Sequence, residues 1–81
     1  MSTRRVRLTF EPDLVKEPII YRLGHEFRVT TNIRMADVDE QVGWVILELE
    51  GDAGEIDRSL EWAQSRGVRV DPLAGDVVEG G

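Results

Sequence analysis

An α+β fold, the ferredoxin-like βαββαβ sandwich, is what this sequence predicts: a four-stranded antiparallel sheet with two helices on one face. Four segments alternate apolar and polar side chains with a period of two, and two others carry apolar side chains at helical spacing. Their order along the chain lets each helix join two parallel strands through a right-handed crossover. The 81 residues suffice for one domain.

The first strand is predicted at residues 4–11, because apolar and polar side chains alternate there. Its side chains expected in the core are Val6, Leu8 and Phe10. Pro12 ends the strand, since proline cannot donate to a sheet ladder, and a short connection follows. The first helix begins near Pro18, because proline suits the first helical position. Its apolar stripe consists of Ile19, Ile20 and Leu23, and it is expected to end near Gly24 and His25.

The second and third strands are predicted at 27–35 and 43–50. A short polar loop separates them, so we expect a hairpin. Its core side chains are predicted to be Phe27, Val29, Thr31, Ile33 and Met35 on the second strand and Val45, Leu47 and Leu49 on the third. In the hairpin register we expect Arg28 opposite Glu50 and Arg34 opposite Trp44.

The second helix is predicted to begin at Asp52, which can cap its free N–H groups. Glu55 can reach back to the N–H of that residue, as in a capping box. The buried stripe of the helix consists of Ile56, Leu60 and Ala63. Gly67 is the expected C-terminal cap, because glycine enters the left-handed region at little cost. The last strand is predicted at 68–71 and ends before Pro72. We therefore expect a flexible N terminus at 1–3, one domain at 4–74 and a C-terminal tail at 75–81.

Composition excludes several classes of function. Acidic residues outnumber basic ones by 16 to 10, so the formal net charge is −6 and no nucleic-acid partner is expected. The lack of cysteine excludes a disulfide framework, an iron–sulfur cluster, a thiolate zinc site and a cysteine nucleophile. No apolar run approaches the ~18 residues of a membrane span, and no signal-peptide pattern opens the chain. We therefore expect a cytoplasmic protein without membrane insertion.

No group of residues predicts catalysis or metal binding. His25 is the only histidine, and no nucleophile is placed to work with it. The acidic stretch at 37–40 lacks the glycine and the terminal glutamate of an EF-hand. The turn at 51–54 matches neither of the common phosphate-binding glycine motifs. RNA binding on such a sheet needs aromatic side chains on the first and third strands, but Phe10 points into the core. We expect no enzyme, no cofactor and no metal.

The face of the sheet without helices is the most informative predicted surface. Trp44 and Ile46 lie together on it, and an exposed apolar patch of this kind usually has a cover. One interpretation is a solvated face with ordinary ion pairs. The other is the interface of a homodimer or of a partner protein, because Trp and Arg concentrate in interfaces. The interface residues would then be Arg28, Trp44, Ile46 and Glu48.

Several short motifs, taken in order, resemble those of the NIL domain family. They are 6–10 (VRLTF), 18–20 (PII), 27–33 (FRVTTNI), 43–51 (GWVILELEG), and Leu60 with Gly67 and Val68. The resemblance covers residues 4–74 and implies a fold similar to ACT domains that pairs through its sheets. The family is best known as the C-terminal regulatory domain of methionine-importer ATPases, where it binds methionine and restrains transport. It also occurs attached to ferredoxin modules.

The resemblance implies that Asn32, Ile33 and Arg34 bind a ligand. An asparagine amide can donate and accept hydrogen bonds to an ammonium or a carboxylate. Arg34, which stands where the family motif has leucine, can hold a carboxylate as a charged fork. The other interpretation of these residues is an ordinary sheet surface.

Two functions therefore stay open. The first is a homodimeric regulatory domain that binds a small molecule, methionine or a related sulfur amino acid. The alternative is an accessory module without a ligand of its own, which binds a protein partner in methionine transport or synthesis.

Overall fold

The structure is a computed structural model that describes residues 1–15, 17–39 and 43–73. Its elements in chain order are β1 (Ser2–Phe10), α1 (Pro12–Val15), α2 (Ile19–Glu26), β2 (Val29–Val38), β3 (Gly43–Gly51), α3 (Ala53–Ser65) and β4 (Arg69–Pro72). The strands form one antiparallel sheet in the order β2-β3-β1-β4. The ferredoxin-like α+β sandwich is thereby confirmed, with β2 and β4 as the edge strands.

The core lies between one face of the sheet and the helices α2 and α3. Leu8 on β1 and Leu47 and Leu49 on β3 are 0% exposed, because every second side chain of these central strands points toward the helices. The helices contribute their apolar stripes, Ile19 and Leu23 from α2 and Ile56, Leu60 and Ala63 from α3. We call the other surface of the sheet, which no helix covers, the open face.

Two features near the start of the chain are not predicted by the alternation of apolar and polar side chains alone. Ser2 and Thr3, expected in a flexible N terminus, pair with the last residues of β3. Pro12 does end β1, but it also opens the one-turn helix α1, because a proline φ suits a first helical position. The N–H of Leu14 donates to the carbonyl oxygen of Glu11 at 2.8 Å. The predicted tail at 75–81 and the hairpin residues 40–42 lie outside the described residues.

The predicted hairpin register is wrong. Glu50 pairs with Thr30 rather than with Arg28, and Trp44 pairs with Asp37 rather than with Arg34. The two strands remain paired as far as Val38 and Gly43, so the hairpin continues beyond the predicted end of the second strand. The offset is larger at the Trp44 end because β2 contains a bulge.

The bulge lies between Ile33 and Met35 and also corrects the predicted core. Ile33 pairs with Leu47, but Met35 pairs with Ile46, so Arg34 is an extra residue without a partner in the register. An extra residue turns the following side chains to the other face. Met35, predicted in the core, therefore lies on the open face. Ile33 keeps its predicted side but is 54% exposed, because β2 is an edge strand that the helices do not fully cover.

The ends of α3 differ in how well the sequence predicts them. Asp52 is the N-terminal cap residue, but its side chain makes no capping hydrogen bond. The predicted capping box is wrong, because Glu55 accepts the N–H of Arg28 instead, at 2.9 Å. Gly67 ends the helix as predicted, with φ +99°. Its N–H donates to the carbonyl oxygen of Gln64 at 3.0 Å.

Within the described ranges, no helix has the length and apolar character needed to cross a bilayer.

Candidate functional site

As predicted, one face of the sheet is not covered by helices, and alternate side chains of each strand point to it. Trp44 lies on it, between Thr9 of β1 and Asp37 of β2, while its chain neighbour Val45 is buried. The residues that the register assigns to this face are Thr3, Arg5, Arg7 and Thr9 of β1; Thr30, Asn32, Met35 and Asp37 of β2; Trp44, Ile46, Glu48 and Glu50 of β3; and Arg69 and Asp71 of β4. Rows of side chains therefore run across all four strands.

An apolar patch lies on the part of the open face that β2 and β3 form. Trp44 and Ile46 are half-buried, whereas Met35 beside Ile46 is 57% exposed. Sequence reasoning misses Met35, because strict alternation continued through the bulge places it on the wrong side. The sequence carries no local signal for this bulge, which lies on an edge strand, where bulges are common.

Charged side chains surround this patch. Arg5 and Glu48 form an ion pair across β1 and β3 with Nη2 and Oε2 3.1 Å apart, and both side chains are largely shielded from solvent. Arg69 Nε lies 3.1 Å from an oxygen of Asp71 on β4. The Arg69 side chain remains 76% exposed, so its charge is presented to anything that approaches this face.

The structure separates the three residues predicted to bind a ligand. Asn32 pairs with Glu48 and therefore lies on the open face. Ile33 pairs with Leu47 and lies on the helix side of β2. Arg34 is the bulge residue between the two faces, and all three side chains are exposed. They share one short stretch of an edge strand, but they do not converge on one point of the sheet.

Two open cavities lie between α2 and the helix side of this edge strand, and we call the two together the α2–β2 groove. One end is an apolar cavity of about 230 Å³ between α1, α2 and the sheet. Its walls include Phe10, Leu14, Ile20 and Val38. The other end, of about 290 Å³, lies beside His25 and Thr31. Ile20 and Tyr21 line both ends, so the two cavities are neighbours.

The rim of the α2–β2 groove offers polar as well as apolar groups. Tyr21 and Val38 are 66% and 53% exposed, so both present apolar surface at the rim. Glu17 contributes a carboxylate that pairs with Arg66 at 2.8 Å. The α2 helix begins here after Pro18, and no side chain caps it. The N–H of Ile19 donates to the carbonyl oxygen of Glu17 at 2.8 Å, and the positive end of the α2 helix dipole lies at this rim. Sequence reasoning misses Tyr21 and Val38, because their exposure depends on how far α2 covers the edge strand.

Glu55 is the electrostatic link between α3 and the start of β2. Its carboxylate accepts the N–H of Arg28 at 2.9 Å and the Nε–H of Arg58 at 3.0 Å. The hydrogen bond from the Arg28 backbone, followed by that from Arg58, holds the pKa of Glu55 below its ordinary value. The same carboxylate raises the pKa of Arg58 above its ordinary value. Arg28, predicted as an interface residue, precedes β2 and has no partner in the sheet register.

Two aromatic contacts lie on the helix layer. The rings of Tyr21 and His25 stack with centroids 5.2 Å apart, one turn from each other on α2. Trp62 packs against the core and lies 6.0 Å from Phe27, with the guanidinium of Arg22 over its ring at 4.7 Å. Across the ranges that the structure describes, no three acidic or histidine side chains gather as a metal site would require.

Comparisons with known proteins agree on one family. The family model of the NIL domain matches residues 4–72. The chain is 27% identical over 74 residues to a methionine import ATP-binding protein MetN from Lacticaseibacillus paracasei, covering 86% of this chain and 21% of the relative. The protein of the same name from Helicobacter pylori is 28% identical over 71 residues, covering 83% of this chain and 22% of the relative. The chain thus spans about a fifth of the length of these relatives.

A solved structure has the same fold. It is the C-terminal domain of an ABC transporter ATP-binding protein from Enterococcus faecalis, which superposes with a TM-score of 0.76. The match covers 88% of this chain and 83% of the other at 23% sequence identity. At that identity the likeness concerns the fold.

Proposed function

Because the chain belongs to the NIL domain family, we propose that it is a non-enzymatic regulatory domain that binds methionine or a related sulfur amino acid. The relatives in which such a domain occurs are methionine import ATP-binding proteins. The observation that carries the proposal is the α2–β2 groove, an apolar cavity open beside an uncapped helix start.

The chemistry of the groove suits an amino acid with an unbranched apolar side chain. A thioether is flexible and polarizable, so it fills an irregular cavity lined by Phe10, Leu14 and Ile20. A cavity of about 230 Å³ is small for a drug-sized molecule, which favours a ligand of amino-acid size. The positive end of the α2 helix dipole, which lies beside the cavity, would attract the carboxylate.

The bulge of β2 supplies further polar contacts in this proposal. Arg34 is exposed on the same edge strand as Ile33 and Val38, so its guanidinium is available to a carboxylate at the groove. Asn32 lies on the other side of the strand, and it would contact a ligand that extends over the edge of the sheet. Ile33, on the helix side, would extend the apolar wall.

Calorimetric titration with L-methionine tests the proposal, with L-norleucine as the probe of the sulfur atom and methioninamide as the probe of the carboxylate. We expect saturable heat with methionine and weaker binding of methioninamide. At 100 times Kd, methionine should stabilise the fold by about 2.7 kcal/mol. No heat and no melting shift at about 10 mM ligand would contradict the proposal, because a Kd above about 10 mM corresponds to less than about 3 kcal/mol of binding free energy.

Two neighbouring variants locate the site. Val38→Asp places a charge in the wall of the cavity and should abolish binding, while its exposed position preserves the fold. Asp37→Asn changes the adjacent residue on the open face and should leave methionine binding unchanged. Loss of binding in Asp37→Asn but not in Val38→Asp would place the ligand on the other face.

A second candidate function is an accessory module that binds a protein partner in methionine transport or synthesis. The observation that favours it is the open face, where Trp44, Ile46 and Met35 form an apolar patch next to charged rows. It predicts that the chain retains a partner from its own cells without any response to methionine, and that Trp44→Ala reduces recovery of that partner.

A further inference from the structure

A carboxylate stands at the rim of the apolar cavity in the α2–β2 groove. Glu17 lines this cavity, and its Oε1 atom lies 2.8 Å from Nη2 of Arg66 at the end of α3. The side chains of Glu17 and Arg66 are 37% and 41% exposed, so solvent screens the ion pair and it adds little to the stability of the fold. The carboxylate of Glu17 is therefore accessible to a ligand in the cavity.

The surrounding backbone fixes where this carboxylate lies. The N–H of Glu17 donates to the carbonyl oxygen of Leu14 at 3.0 Å, and the carbonyl oxygen of Glu17 accepts the N–H of Ile19 at 2.8 Å. The N–H of Arg66 donates to the carbonyl oxygen of Ala63 at 3.1 Å, which anchors the partner of Glu17 to the end of α3. A carboxylate held in this way loses little freedom when a ligand binds to it.

The charge of Glu17 selects the kind of group that can bind beside it. Among the described residues that line the cavity, Glu17 alone carries a formal charge at neutral pH. An ionised carboxylate has about four lone-pair sites on its two oxygens, so the contact with Arg66 leaves acceptor sites for a second donor. A protonated amine supplies three donors, and its hydrogen bonds to a carboxylate are stronger than neutral ones. The rim therefore suits an ammonium group.

We propose that Glu17 binds the α-ammonium of the ligand and makes the groove specific for amino acids whose nitrogen is unmodified. This specificity rests on the proposed function, since it requires an amino acid in the groove. The ammonium and the carboxylate of an amino acid are attached to one carbon atom, and Glu17 lies two residues before the first residue of α2. Glu17 and the positive end of the α2 dipole therefore receive the two charged groups side by side, with the apolar side chain in the cavity.

The 2-hydroxy analogue of methionine isolates the ammonium from the rest of the ligand. It keeps the thioether and the carboxylate and carries a neutral hydroxyl in place of the nitrogen. Calorimetric titration with each compound gives the Kd ratio, which we define as the Kd of the analogue divided by the Kd of methionine. We expect a Kd ratio of about five to ten for the unaltered chain, between the effects of an exposed ion pair and of a charged hydrogen bond.

Glu17→Gln and Glu26→Gln form a matched pair of variants. Each neutralises a partly exposed carboxylate that pairs with an arginine, Glu17 with Arg66 and Glu26 with Arg22 at 2.6 Å. Glu26 is the last residue of α2, at the opposite end of the helix from the cavity rim. In Glu17→Gln the Kd ratio should fall below about two, whereas Glu26→Gln should keep the ratio of the unaltered chain. A change that only loosened the cavity would weaken both ligands and leave the ratio unchanged.

Salt provides a second measurement that needs no variant. The Debye length falls from about 30 Å at 0.01 M ionic strength to about 3 Å at 1 M, so salt screens the contact between Glu17 and the ammonium. Salt acts on the ligand carboxylate in the same way for both compounds, and that effect cancels in the Kd ratio. The ratio should therefore fall at least about twofold between these two concentrations.

Each outcome of these titrations decides the question. A Kd ratio that falls in Glu17→Gln and in salt, but not in Glu26→Gln, supports the proposal. Equal binding of the two ligands by the unaltered chain overturns it while the proposed function stands, and so does a ratio that is unchanged in Glu17→Gln or falls equally in Glu26→Gln. Loss of both ligands from a folded Glu17→Gln also overturns it.

The same titrations separate this specificity from the proposed function. An unaltered chain that does not bind methionine overturns both, whereas methionine binding without discrimination overturns the role of Glu17 alone. Both variants should fold, because their ion pairs are exposed, and melting temperatures verify this. If Glu17→Gln does not fold, the salt dependence of the Kd ratio decides, and a ratio that stays constant in salt overturns the proposal.

Discussion

Ile33 and Met35 lie on opposite faces of the sheet, although they are two residues apart on one strand. In a regular strand they would share a face, but the bulge at Arg34 shifts the second of them. One extra residue therefore gives β2 an apolar side chain for each surface. Ile33 lies on the face of the sheet that carries the α2–β2 groove, and Met35 belongs to the apolar patch of the open face.

Leu47 and Ile46 should differ sharply in their contribution to stability, because only Leu47 points into the core. Leu47→Ala should cost about 2–5 kcal/mol of unfolding free energy through lost burial and the cavity left behind. Ile46→Ala, on the half-buried open face, should cost less than about 1.5 kcal/mol. Urea denaturation at low protein concentration measures both values, and similar losses for the two variants would contradict the assignment of faces.

Arg34 and Asn32 should affect methionine binding without affecting stability. Arg34→Ala removes a charged hydrogen bond worth about 1.5–3 kcal/mol, so Kd should rise about tenfold or more. Asn32→Ala removes a neutral one and should raise Kd by about threefold to tenfold. Both side chains are exposed, so melting temperatures without ligand should stay within about 2 °C of the unaltered chain. Unchanged affinity in both variants would exclude the bulge from the ligand site.

Glu55 should make stability depend on pH in the acid range. Its pKa is lowered in the folded state by the hydrogen bonds from Arg28 and Arg58, so its contribution is present above the pKa of the unfolded chain. That contribution is lost as the pH falls from the ordinary glutamate range, about 4.3, through the lower folded value. Glu55→Gln should therefore be less stable at pH 7, and the difference should shrink with acidification. Thermal unfolding between about pH 2.5 and 7 measures this, and a difference that grows in acid would contradict the assigned contacts.

Gly67 and Gly24 form a matched pair for substitution by alanine. Gly67 has φ +99°, a conformation that side chains disfavour, and an added Cβ would lie 3.2 Å from Leu14. Gly67→Ala should therefore cost about 1 kcal/mol or more of unfolding free energy. Gly24 lies within α2, where an added Cβ would make an ordinary contact of 3.5 Å with Thr31. Gly24→Ala should be neutral or stabilise the fold by up to about 1 kcal/mol, because alanine favours a helix. Equal effects of the two changes would be inconsistent with the cap at Gly67.

Much of the fold follows from the sequence because period-two alternation is strong on the central strands. Val6 and Leu8 on β1 and Leu47 on β3 are buried as predicted, and Trp44 lies on the predicted face. The edge strand β2 is less predictable, because its burial depends on how far α2 extends over it. Neither the bulge at Arg34 nor the exposure of Ile33 has a local cause in the sequence.

The candidate site was predictable only in part for the same reason. The sequence motifs predict a ligand site at 32–34. The structure has this stretch on an edge strand, where its side chains are divided between the two faces of the sheet. The α2–β2 groove depends on Tyr21 and Val38, which are far apart in sequence and meet only when α2 packs on the sheet. The carboxylate of Glu55 likewise accepts a hydrogen bond from the N–H of Arg28 rather than from the start of its own helix, because the tertiary fold brings Arg28 close to α3.

Backbone amide NMR spectra recorded during a methionine titration test the central claim most directly, because they detect a bound ligand and locate it at once. We expect the largest shifts on residues of the α2–β2 groove, Ile20, Tyr21 and Val38, with smaller ones at Arg34 and little change at Trp44. Shifts confined to the open face, or none at saturating methionine, would contradict it.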